Sequence, residues 1–189
     1  MLNFYQKIQK IESLQLEADK ATKSFKNKYH IDCLFHCSKC CLYDDINATP
    51  LEFLPLAFHL YKSGLLEEVI EKINNKNDSR CIFSVFENDK WGCSVYPSRG
   101  LICRLFGFAS VLDKHEKPCF AACHSLKENC PEKIQQICKK IASGEKSPVI
   151  PIFYRKLAML DFQLGEDLLP INQAIKEACD IVYMHNAYL

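Results

Sequence analysis

Glycine is scarce: the chain has only six in 189 residues. None of them builds a G-x-G-x-x-G turn, and a P-loop is likewise absent, so no nucleotide-cradling loop is expected. That argues against a stand-alone methyltransferase with a nucleotide-like cofactor. An excess of one charge is missing too. Lys plus Arg number 24 against 23 Asp plus Glu, and no basic stripe stands out, so nucleic acid is not an expected partner. No apolar run is long enough to span a bilayer. The opening stretch MLNFYQKIQKIESLQLEADKATKSF is charged throughout, where an export signal would be apolar. A cytoplasmic protein with no membrane association is expected. There is no internal repeat and no low-complexity tract.

Cysteine, by contrast, is abundant, with twelve in the chain. Hydrophobic residues make up 48%, enough to build a core at this length. Disulfides are therefore not needed to hold the fold, and in a reducing compartment stable ones are rare. Clustered thiols in that setting point to metal binding or catalysis. The segment Cys37-Ser38-Lys39-Cys40 is formally C-x-x-C, but no βαβ pattern surrounds it, which disfavours a thioredoxin-like oxidoreductase.

Hydrophobic periodicity predicts a helix over 3–27, with Phe4, Ile8, Ile11, Ala18 and Phe25 on one face. A cysteine loop follows at about 31–48. Thr49, Pro50 and Glu52 form a helix start of the capping-box type, and Gly64 is a stop. Leu66, Val69, Ile70 and Ile73 mark a second short helix. The stretch RCIFSVFENDKWGCSVY reads as a β-hairpin around the turn ENDK, with Cys81 on its first arm and Cys93 on its second. PSRGLICRLFGF reads as a helical turn and then extended chain, and KPCFAACHSLKENCP as a short helical piece. Three further helices are expected, one opening at Pro131, one over 151–164 and one over 170–185. The fold class expected is mainly α with a small β-hairpin and cysteine-bearing loops packed on the helices. The organisation expected is an amphipathic helix over 1–30, a cysteine-cluster metal-binding domain over 31–130, and helices over 131–189 packing on that same domain.

Cys138 and Cys179 fall on apolar helix faces and read as core residues, since free buried cysteine behaves as a small hydrophobe. The other ten lie in or beside loops. Cys33-x3-Cys37-x2-Cys40-Cys41 is one group; a two-residue gap lets two thiolates close on one metal. Cys81, Cys93 and Cys103 form a second, which a hairpin and a turn can bring to face the first. Seven thiolates exceed the four of a single zinc or ordinary cluster. Cys119, Cys123 and Cys130 form a third group, with Cys119 and Cys123 expected on one helix face and His124 as a fourth donor for a second metal site. His30 and His36 read as ordinary polar loop residues. A thiolate-rich site is negative, and Arg99 and Arg104 are the cofactor-binding residues expected to offset it.

The run C-x3-C-x2-CC, then C-I-F, then W-G-C-S-V-Y-P-S-R-G-L-I-C-R-L-F resembles the YkgJ-type cysteine-cluster family, a zinc- or iron-chelating domain with a CxxCxxCC signature. That family includes the cysteine-rich part of flagellin lysine N-methylases. Its usual second half reads C-P-F, G-x-C-x-I-Y and R-P-x-x-C-R-x-F-P. Cys81-Ile82-Phe83, Gly92 to Tyr96 and Arg99 to Phe106 match it here, so the resemblance covers about 33–108. Two departures stand out: the first gap is three residues rather than two, and Gly100 and Gly107 replace prolines, which is expected to loosen the turns. The resemblance implies an iron–sulfur cluster, with zinc as the alternative, and a redox or protein-modification role with a protein substrate or partner. The competing reading is a structural zinc module whose helices bind a partner protein.

Overall fold

The computed structural model of the protein describes residues 2–33, 39–43, 46–87 and 90–187. The first helix, α1 (Phe4–Tyr29), starts where Asn3 and Gln6 exchange reciprocal side-chain-to-backbone hydrogen bonds of 2.8 and 3.1 Å. That is a capping box with amide side chains. It ends where His30 turns left-handed, at φ 50°. Ile8, Ile11, Leu14, Ala18 and Phe25 are buried at helical spacing along one stripe.

After a short 3-10 turn at Lys39–Leu42 come strand β1 (Asn47–Ala48) and the helices α2 (Pro50–Lys62) and α3 (Leu66–Asn74). Strands β2 (Ser84–Glu87) and β3 (Lys90–Cys93) form an antiparallel hairpin in which Ser84 faces Cys93. A short helix, α4 (Leu101–Leu105), leads to a second hairpin, β4 (Ser110–Leu112) with β5 (Pro118–Phe120). Helices α5 (His124–Asn129), α6 (Pro131–Ala142), α7 (Ile150–Ala158) and α8 (Phe162–Glu166) follow. Strand β6 (Leu169–Pro170) pairs antiparallel with β1, and α9 (Ile171–Ala187) closes the described chain. The protein is mainly α, as its periodicity predicts. Among the described residues, no helix is long and apolar enough to cross a membrane.

Two apolar clusters organise these elements. The larger gathers Ile8, Ile11, Leu51, Leu54, Leu101, Leu105, Leu157, Ile175 and Val182 around α2 and α9. The smaller gathers Phe25, Phe108, Phe120, Leu126, Ile134, Ile137 and Ile141. Helix α1 serves both, its first turns in one and Phe25 in the other.

Glu52 ties the larger cluster together. Its side chain is fully buried. One carboxylate oxygen accepts from the Thr49 N–H at 3.0 Å and from the Tyr154 hydroxyl at 2.7 Å. The other accepts from the Ile102 N–H at 2.7 Å. Its backbone carbonyl accepts from the Gln15 side chain at 2.9 Å. Four elements, α1, α2, α4 and α7, therefore meet at one residue. Burial raises the Glu52 carboxyl, and the bonds from Ile102, Thr49 and Tyr154 oppose that rise.

Three local expectations are corrected. The segment 110–120 contains a second hairpin. The Asp113 carboxylate accepts from the His115 and Lys117 N–H groups at 2.8 and 2.9 Å, which turns the chain sharply before Pro118. Cys119 is consequently on strand β5 and Cys123 is the residue before α5, so the two do not share a helix face. The helix expected over 151–164 is divided. Asp161 caps α8 by accepting from the Leu164 N–H at 3.2 Å, and its other oxygen lies 2.5 Å from Lys7 of α1. Gly165 lies inside α8, where a Cβ would come within 2.7 Å of Ala158 Cα. Finally, Cys81 precedes the first hairpin and lies in the turn that leads into it.

Glu52→Gln keeps the shape but not the chemistry. Thr49 and Ile102 donate to opposite oxygens, and an amide has only one. The substitution should cost about 2–3 kcal/mol of unfolding free energy, measured by urea denaturation. An unchanged midpoint would show that the carboxylate is not the fastener described here.

Candidate metal centre

Cys40 and Cys41 sit in the 3-10 turn Lys39–Leu42. The Cys40 thiol is beside Cys41, and the Cys41 thiol is beside Cys81. The backbone follows the same path, with the Cys81 N–H donating to the Cys41 carbonyl at 3.2 Å. Cys93 ends β3, where the charge of Cys40 bears on it and its own charge bears on Cys41. Cys103, in α4, is likewise coupled to Cys40 and Cys41. Five thiols spread over more than sixty residues of sequence thus share one neighbourhood at the edge of the larger core.

Local structure explains how each arrives. Asn172, near the start of α9, brackets Cys81: its side-chain oxygen accepts from the Ile82 N–H and its NH2 donates to the Arg80 carbonyl, both at 2.8 Å. Cys93 is placed by the hairpin register and by the Ser94 N–H, which donates to the Phe83 carbonyl at 3.0 Å. Cys103 is placed by Glu52, which caps the Ile102 N–H of α4. The residue before α4 is Gly100, which has no side chain to do so. Nor is Gly100 loose: a Cβ there would lie 2.6 Å from the Phe53 ring and 2.9 Å from Glu52. Gly107 is held as well, at φ +83°, a conformation that favours glycine. Gly100 is thus held by a close approach and Gly107 by its left-handed backbone, contrary to the looser turns expected.

The electrostatics are those of protons crowded among sulfurs. The hydrogen bond to Cys41 raises the Cys40 thiol most, and burial adds to it. For Cys41 the bond from Cys40 pulls downward, but the bond to Cys81, burial and the charges of Cys81 and Cys93 outweigh it, and the thiol is pushed up to about 12. Burial raises Cys93. Cys103 goes well up through burial first, then through the charges of Glu52, Cys41 and Cys40. Arg99 opposes the rise at Cys40, Cys93 and Cys103, after the Val95 backbone bond at Cys93 and together with the Cys41 backbone at Cys40.

Two arginines expected to work alike are placed differently. Arg99 stacks on Tyr96, its guanidinium carbon 3.6 Å from the ring centroid, and stays beside the thiols. Arg104 is committed elsewhere. It pairs with Asp19 of α1, and donates to the Pro97 carbonyl at 2.7 Å and the Arg99 carbonyl at 2.9 Å. Arg104 braces the loop that presents Arg99.

The remaining candidates are dispersed. Cys33 is exposed, and its N–H donates to Asp32 at 2.8 Å. Cys37 and His36 lie outside the described residues. His30 caps α1. Cys119 is exposed on β5 and is close enough to Cys138 to add to the rise that burial gives that thiol. Cys123 packs against the smaller core, Cys130 joins α5 to α6, and the His124 Nε2 lies 3.0 Å from Glu128. Cys179 is fully buried in the larger core, and burial pushes its thiol up to about 12.

Soft sulfur donors of this kind fit zinc and iron–sulfur alike. Among the described residues, no three Cys, His, Asp or Glu side chains already stand as a finished ligand set. Burial raises the Cys93 and Cys103 thiols, and Cys40 and Cys41 are raised by their neighbours and by burial. Binding a metal requires them to release protons and draw together. No described cysteine is in a disulfide, so all five are available for that.

The CxxCxxCC family model, described as a "putative zinc- or iron-chelating domain", matches residues 32–139. That is more than half of the chain. The match takes in both hairpins, α5 and most of α6, and so extends past the 33–108 expected from the motifs. A search of curated proteins found no match, and a search of solved structures found none either.

Asn172 is a feature that no motif flagged. Asn172→Ala removes both of its bonds and should cost about 1–2 kcal/mol. Hydrogen exchange should then show the Ile82 amide losing protection. Unchanged protection at Ile82 would mean that another contact holds the Cys81 turn.

Proposed function

The chain belongs to the CxxCxxCC family and binds metal through its cysteines; from that premise we propose that the site holds an iron–sulfur cluster on Cys40, Cys41, Cys81, Cys93 and Cys103. Cys33 and Cys37, from the same loop as Cys40, complete the ligand set in this reading. The observation that carries it is the convergence of Cys40, Cys41, Cys81, Cys93 and Cys103, with the Cys81 N–H on the Cys41 carbonyl at 3.2 Å. More thiols converge than one zinc needs, and none of the five is replaced by His or a carboxylate.

Bound there, such a cluster supplies one-electron chemistry. The protein's own residues do the rest. Arg99 offsets the negative charge of the thiolates, and Arg104 holds Arg99 in place. Glu52 and Asn172 fix the two segments that bring Cys103 and Cys81. The apolar wall behind Cys103 keeps water from that side of the site. Clustered thiols that must stay reduced to hold metal also favour the cytoplasm.

Anaerobic purification with metal analysis and an absorption spectrum tests this reading. Iron with acid-labile sulfide and a visible chromophore is the expected result. Colourless protein with stoichiometric zinc would replace it by the structural zinc module. Serine at Cys40, Cys41, Cys93 or Cys103 should lower metal content sharply. Cys179→Ala should leave it full and cost on the order of 1 kcal/mol in stability. Full metal in the first set, or loss in the last, would reverse the assignment.

A further inference from the structure

Next to the thiols lies a cavity of ≈ 570 Å³. That is within the roughly 300–1,000 Å³ of small-molecule sites. Cys40 and Cys103 form part of its wall, so it opens directly onto the cluster. The other walls are of two kinds. Tyr96, Phe106 and Phe108 supply flat apolar surface. Lys23, Lys26, Lys39, Arg99 and Arg104 supply positive charge against the carboxylates Asp19 and Asp32.

Both carboxylates are already engaged. Asp19 pairs with Arg104, and Asp32 with Lys26 at 2.9 Å. Lys26 also lies over the Phe108 ring, 5.2 Å from its centroid. Lys23, Lys39 and Arg99 are left without a carboxylate among the described residues. Arg99 is accounted for by the thiols. Lys23, from α1, and Lys39, from the 3-10 turn, are not. Two cations without partners at the rim of an aromatic-walled cavity are a charge arrangement that awaits an anion.

We infer that this cavity binds a small molecule with an anionic head and a flat apolar body, a carboxylate or a phosphate, and presents it to the cysteine cluster. The head is taken by Lys23 and Lys39 at the rim. The body lies along the wall that Tyr96, Phe106 and Phe108 supply. An inorganic ion alone would leave most of the volume unfilled. The inference rests on the cluster being the metal centre only for the significance of the ligand's position, since the binding itself uses residues outside the ligand set.

Isothermal titration of the full-length protein as purified, with metal content measured on each sample, tests it. The probes are benzoate, phenyl phosphate, neutral benzamide and inorganic phosphate. At least one aromatic anion should bind about tenfold more tightly than benzamide and inorganic phosphate, and the better of the two identifies the head group. The double substitution Lys23→Gln with Lys39→Gln should weaken that binding by about tenfold and leave metal content and folding unchanged. Equal binding of benzamide, no binding of either aromatic anion, or unaltered binding by the double variant would each overturn the inference. Metal-bearing protein that binds no anion would sink this inference alone. Anion binding by protein that takes up no metal would uphold it and sink the metal assignment.

Discussion

A buried carboxylate is costly unless hydrogen bonds surround it, and the architecture here is arranged to surround one. Glu52 lies inside the larger core, and donors reach it from three different parts of the chain. One is the N–H that opens its own helix. Another opens the helix carrying Cys103, and the third is a tyrosine a hundred residues later. Remove the carboxylate and each donor is stranded in an apolar place. The same residue that starts α2 therefore fixes how far α4, and with it a cysteine, stands from the core. Charge links the two directly, since Glu52 is among the influences that raise the Cys103 thiol.

The cysteine region relies on such borrowed supports. Between 76 and 108 the described residues form a hairpin of two four-residue strands, a three-residue 3-10 turn and a five-residue helix, too little to hold a shape unaided. Asn172 reaches in from α9 to hold Cys81, Arg104 reaches out to α1, and Glu52 caps α4. The last link is a single backbone bond, from the Cys81 N–H to the Cys41 carbonyl. A metal would add strong links to that weak one, which is the usual coupling of metal binding to folding in loop-rich sites. Arg99, stacked on Tyr96, is the cation left beside the sulfurs while Arg104 braces the loop.

Periodicity and caps made the helices legible. The stripe from Ile8 to Phe25 gives α1 to within two residues, and Thr49-Pro50 with Glu52 gives the start of α2. The second hairpin was not legible, because its turn is built from the Asp113 side chain inside a polar run that helix and loop patterns describe equally well. The break at Asp161 was hidden for a related reason: the apolar spacing runs on through it, while the cap and the Lys7 pairing are what divide the helix. For the site, the hairpin and turn indicated that Cys81, Cys93 and Cys103 could meet the first group. The supports could not be read. Asn172 and the second role of Glu52 depend on partners ninety and fifty residues away, and nothing in their local sequence marks them. The difference between Arg99 and Arg104 was invisible for the same reason.

The bracket on Cys81 has a consequence for the order in which the protein is made. Cys33 to Cys103 leave the ribosome before α9 exists, yet the bonds on either side of Cys81 come from Asn172. During that interval the thiols are exposed on an unfinished chain, reduced and without their arginine-lined surroundings. The pocket of sulfurs is completed only when the last helix docks on α2. Loading is thereby tied to the end of synthesis, and a nascent chain that captured metal early would have to do so with a looser and different set of sulfurs.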